Sequence, residues 1–206
     1  MDLHAPEGPV RSVKDFLVHI VIVTIGILIA LGLEQVVEAY HRAHLARDAV
    51  EGFHRELTTD SADIKEVIAA DAEVRKKIAE WIADLSSAAP RAIDKYPGVH
   101  FNIMSTASWD TAMATHALNE LPYERAHLYA VAYDALRIFV EVQHRGLSDW
   151  QELQVYGKDP AAMTPDQRRT LIERLHRYES DLEVIENAGG NVLESSQAAL
   201  GEKPHA

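Results

Sequence analysis

Five Glu-x-x-His pairs punctuate this 206-residue chain: Glu38/His41, Glu51/His54, Glu124/His127, Glu141/His144 and Glu173/His176. Random placement of its glutamates and histidines gives about one. On a helix, residues three apart share a face, where a carboxylate and an imidazole can hold a metal ion together. Ferritin-like di-iron bundles use two such pairs with two further glutamates, all pointing inward. Glu124/His127 and Glu173/His176 fall in separate segments and are the candidate ligands of such a centre. The same spacing also gives solvent-facing pairs worth about 0.2–0.5 kcal/mol each. Most of the five lie beside the apolar stripes described below, so the expectation is no resident metal or cofactor. Phosphate loops, GxSxG strings and HExxH are absent from the sequence. With no cysteine, thiolate metal sites, cysteine nucleophiles and disulfides are excluded. A net charge of −12 argues against nucleic acid, which demands basic patches.

The elements that would position these groups begin with Phe16 to Leu33, FLVHIVIVTIGILIALGL, eighteen residues without a formal charge. A hydrocarbon core of about 30 Å needs about 20 apolar residues in a helix rising about 1.5 Å per residue. Val36 and Val37 supply the remaining length. A cleaved signal peptide is one alternative, with Arg11 and Lys14 as its basic region and Ala30-Leu31-Gly32 before the cut. The apolar run is longer than the usual core of such a peptide. A buried core helix is the other alternative, but soluble helices seldom stay uncharged this long. A single-pass anchor over 16–37 is the reading adopted, after a tail over 1–15. Lys and Arg nearly balance across it, so orientation rests on the acidic body, which an anionic cytoplasmic leaflet repels. That places the body outside.

Within the run, Gly26-x-x-x-Ala30, with Thr24 and Gly32, presents small residues that permit close helix contact in lipid. His19 lies about one turn inside, close enough for a neutral ring to reach the headgroups. Just beyond, Tyr40 can anchor the interface. His41, Arg42, His44 and Arg47 can meet headgroups or respond to pH there, or serve as an ordinary polar collar.

No proline occurs between Pro9 and Pro90, so the membrane helix is expected to run on into a stalk. Tyr40, Ala43, Ala46, Val50, Phe53 and Leu57 recur at three- and four-residue intervals, and Ile64, Val67, Ala70, Val74, Ile78, Trp81 and Leu85 continue the pattern. Thr58-Thr59-Asp60-Ser61 is a candidate break, although a bend or straight passage also fits. A loop over 86–98, a short helix over 105–118 and a helix from Pro122 to about Tyr156 follow, with Gly146 as a possible kink. Thr164-Pro165-Asp166-Gln167 is a cap, a first-turn proline and a capping-box glutamine. The last helix carries a heptad: Leu171, Leu175, Tyr178, Leu182, Ile185, Gly189, Val192, Ala199. The fold class expected is all-α: an N-terminal transmembrane helix continuing into a stalk and an antiparallel bundle over 38–200, with a tail over 201–206.

Ile25-Gly26-Ile27-Leu28-Ile29-Ala30-Leu31, followed by Glu34 and Glu38, resembles a bacterial family of single-pass membrane proteins with an IGILIAL-type segment and a helical soluble domain. Trp109, Ala112, Ala117-Leu118, Leu121-Pro122 and Tyr133 are similar to that family's second block; His116 stands where it usually has a small residue. The resemblance implies this architecture and a bacterial inner membrane, and brings no reaction, ligand or catalytic residue. The function expected is a non-enzymatic, membrane-anchored interaction protein, partnered by lipid and by other membrane subunits or itself. The alternatives are a helical-bundle sensor with a small ligand between its helices and a membrane-bound di-metal enzyme.

Overall fold

The computed structural model describes residues 13–93, 96, 98–156 and 159–201. Expected tail residues 1–12 and 202–206 lie outside these, whereas Val13 to Asp15 are already helical. The described residues form four α-helices and no strand: α1 (Val13–Leu85), α2 (Ala107–Ala114), α3 (Tyr123–Leu153) and α4 (Pro165–Leu200). The chain divides into two compact units, Met1–Leu45 and Ala46–Ala206.

In the first unit, every described residue from Val13 to His41 is exposed. The large apolar side chains between Phe16 and Leu33 are 45% to 63% exposed, so among the described residues nothing buries any face of the run.

In the second unit, the rest of α1 packs with α3 and α4 as a bundle. The expected seam is largely covered from Ala46 onward: Ala46, Phe53, Leu57, Ile64, Val67, Val74, Ile78 and Leu85 are buried and Val50, Ala70 and Trp81 half-buried, whereas Tyr40 and Ala43 are exposed. The helix passes through Thr58–Ser61 without a break, and the Thr59 hydroxyl donates back to the Arg55 carbonyl at 3.0 Å. Arg174 pairs with Glu152 and Arg177 with Asp149, while Gly189 lies against Phe139, so α3 and α4 run antiparallel. Phe53 meets Tyr129 and Tyr133, and Ile64 and Ile68 meet the same glycine as Phe139; α1 therefore runs parallel to α3. The crossover after Leu85 permits this by carrying the chain back along the bundle before α3 starts.

Local chemistry sets the ends. Thr164 and Gln167 form the expected capping box, at 3.2 and 2.9 Å, and Gly201 closes α4 in the left-handed conformation (φ 75°). All eight heptad positions of α4 are buried. The helix expected over 105–118 is α2 followed by a 3-10 turn over Ala117–Glu120. His116 separates them at φ 59°, a left-handed conformation unfavourable for a side chain with a Cβ. Pro122 caps α3 from outside rather than entering its first turn. Gly146 produces no break in α3. It is buried at a close approach, where a Cβ would lie 2.8 Å from Ile185 Cδ1.

Candidate functional site

The paired carboxylates and imidazoles lie on the outside of the bundle. Glu124 and His127 are exposed on the first turns of α3, with the His127 ring stacked on Tyr123 at 6.0 Å. Glu173 and His176 are exposed on α4, and His176 Nδ1 lies 3.4 Å from Glu179, a different carboxylate. The cause is phase: the inward seams are Tyr129–Ala132 on α3 and Leu171–Leu175–Tyr178 on α4, and the pairs fall off both. Glu38, His41, Glu51, Glu141 and His144 are exposed too; His54 is half-buried. Among the described residues no group of three or more His, Asp or Glu side chains is placed to hold a metal ion.

Thr24, Gly26, Ala30 and Gly32 stand on the uncovered part of α1, and a Cβ at Gly26 or Gly32 would meet nothing within 4 Å. Tyr40, His41 and His44 are exposed there as well, Arg47 is exposed just past the buried Ala46, and Arg42 pairs with Glu38 at 2.7 Å.

The polar chemistry inside the bundle comes from residues to which the sequence reading gave no chemical role. Glu56 of α1 accepts from the Tyr133 hydroxyl at 2.6 Å, from the Ser108 backbone N–H at 3.1 Å and from the Ser105 hydroxyl. Thr106, at the N-cap of α2, makes no side-chain capping bond, so a carboxylate from another helix satisfies that helix's N-terminus. Trp109 of α2 is thereby seated on Tyr133, ring centroids 5.2 Å apart, with Phe53 beside both. Burial pushes the Tyr133 hydroxyl well above the usual tyrosine range, and its bond to Glu56 pushes it the same way. One turn on, Asp60 is 4% exposed and raised to about 6, mainly by burial; the Ser105 backbone N–H opposes this, and the Glu56 and Asp63 charges add to it.

Asp71 is the most isolated acid among the described residues. It is 2% exposed, and neither carboxylate oxygen has a hydrogen-bond partner. Burial alone raises it to about 7. His100 Nδ1 lies 3.6 Å from Asp71 Oδ1, beyond hydrogen-bond reach, and its side chain is half exposed. Tyr178 of α4 feels the Asp71 charge, and its own hydroxyl, buried and unpartnered, is pushed up chiefly by burial. Farther along, Asp181 is raised by burial and by its contact with Asp149, which Arg177 meets at 3.0 Å. These arrangements brace α2 against α1 and α3, and place a buried carboxyl group inside the bundle next to a histidine that reaches water.

A sequence signal for the acids existed. Asp60 falls between Leu57 and Ile64, and Asp71 between Val67 and Val74, in phase with the buried seam. Glu56 carried no such signal, because its partners come from residues about 50 and 77 positions away.

In comparisons with known proteins, the chain matches no family model, no curated protein and no solved structure. It stands as a helical protein with a long apolar N-terminal helix.

Proposed function

We propose that this chain is a membrane-anchored, non-enzymatic interaction protein: a single-pass subunit of the bacterial inner membrane, its helical body on the periplasmic side, serving as scaffold or accessory within a membrane assembly or a homo-oligomer. One observation carries the reading. The apolar run from Phe16 to Leu33 is exposed on every face, while the rest of the chain closes a core without it. Lipid is the natural cover for a helix that satisfies its backbone internally and has apolar side chains all round. The small residues Thr24, Gly26, Ala30 and Gly32 suit contact with another membrane helix. The resemblance of Ile25–Leu31 to the IGILIAL-type segment of the single-pass family points the same way.

The test is purification from native membranes in mild detergent after crosslinking, with identification of what co-purifies. The expected result is resistance to alkaline carbonate extraction together with a discrete crosslinked species, homomeric or mixed. Full-length protein that is soluble without detergent would overturn the anchor; solitary monomers in the membrane would overturn the interaction role.

A further inference from the structure

We propose that a groove between α1 and the start of α3 binds an oxyanion, presented as a phosphate group on a small molecule or a lipid. The groove has a volume of about 660 Å³, within the range of small-molecule sites, and is lined by Val50, Glu51, His54, Arg55, Thr58 and Arg125, among others. All of these belong to the second unit, so the inference does not depend on the anchor.

The groove brings together two arginines, from different helices, that pair with no carboxylate among the described residues. Most arginines elsewhere in the body close on carboxylates, among them Arg75 on Glu186, Arg91 on Asp84, Arg137 on Asp110, Arg174 on Glu152 and Arg177 on Asp149, while Arg168 donates to the Pro160 carbonyl and Arg47 stands exposed without a partner among the described residues. In a chain of net charge −12, acids are plentiful for every guanidinium. Yet Arg55 and Arg125, on different helices, have no ion-pair or hydrogen-bond partner for their side chains among the described residues, and both line this groove. His54 lines it as well, and its Nε2 is buried with no hydrogen-bond partner. Two guanidinium forks match the paired oxygens of a phosphate, the ligand class for which arginine is best shaped. The Thr58 hydroxyl is a further neutral donor. Glu51 is the acid in the groove and opposes an anion, so it sets a sign that the experiment can use.

Full-length protein in neutral detergent is titrated calorimetrically at fixed ionic strength, first with inorganic phosphate and then with short-chain phosphatidylglycerol, phosphatidylcholine being the control. Saturable binding is expected in at least one arm. Phosphate binding identifies a free phosphorylated ligand, and binding confined to phosphatidylglycerol identifies a headgroup; both support the site. Arg55→Gln and Arg125→Gln should each weaken binding at least tenfold, as loss of a charged hydrogen bond does. Glu51→Gln should strengthen it about threefold by removing the repelling charge. None of the three substitutions breaks an ion pair among the described residues, so the fold should be retained, which circular dichroism checks. Absence of saturable binding in both arms, or binding indifferent to the two arginines, overturns the proposal.

Discussion

At the scale of single residues, Asp71 is the described carboxyl group that burial raises furthest. An unfolded aspartate ionises near 3.8, whereas burial in the bundle raises this one to about 7. Between those values the folded chain keeps a proton that the unfolded chain has released. Its contribution to stability therefore declines as pH rises from about 4 to about 7, and is level above that. Asp71→Asn removes the titration while keeping the shape. Urea unfolding of both proteins should show the variant gaining on the wild type between pH 4 and pH 8, by on the order of 2 kcal/mol once screening by water and by His100 is allowed for. Asp60 titrates in the same sense in both proteins, so the difference isolates Asp71. A constant difference across that range would show that Asp71 is ionised throughout. The position of Asp71 was legible, because three- and four-residue spacing put it in the seam. Its lack of partners was not, since the nearby His100 arrives from the crossover, whose path no local pattern specifies.

At the scale of elements, α4 was the most legible piece, and its two adjacent glycines show where legibility stops. The cap and the buried heptad follow from local chemistry alone, and the structure reproduces both. Helix propensity treats Gly189 and Gly190 alike, as a weakening of roughly 1 kcal/mol each. Packing separates them. A Cβ on Gly189 would lie 2.8 Å from Ile68 Cδ1, and 3.1 Å from both Ile64 Cγ2 and Phe139 Cε2, so α1 and α3 meet α4 there. A Cβ on Gly190 would meet nothing within 4 Å. Gly190→Ala should stabilise by up to about 1 kcal/mol through the backbone alone. Gly189→Ala should destabilise by about 1–3 kcal/mol, because three core side chains must yield at once. Chemical denaturation of the two variants gives opposite signs if the three-helix contact is as described, and the same sign if it is not. The boundaries of α2 were less legible for a related reason. Glu56 supplies that helix's N-terminal acceptor from another element, and His116 ends it in a conformation that residue type does not announce.

For the whole molecule, the central division is between a stretch whose apolar side chains face outward and a body whose apolar side chains face inward. That division was legible from composition, since eighteen uncharged residues and the periodic stripes after them follow different rules. It yields a prediction that separates the two parts. On the insertion scale, the large apolar residues from Phe16 to Leu33 supply roughly −4 to −8 kcal/mol toward the membrane, and one central charge costs about 2.5–3.5 kcal/mol. A single charge leaves the balance favourable. Two, as in Val21→Asp with Leu28→Arg, bring it close to zero or reverse it. Both positions are more than half exposed, so neither substitution removes a contact within the protein. The double variant should move from the carbonate-resistant membrane fraction to the soluble or aggregated one. Unfolding of its body, followed by near-ultraviolet circular dichroism of the buried Trp109, Tyr129 and Tyr133, should shift by less than about 0.5 kcal/mol, as for surface substitutions. A body that unfolds together with the loss of membrane binding would mean that the apolar run is part of the core. Retained membrane binding with an intact body would mean that the attachment is made by the body itself, and the search for partners would have to begin on its surface.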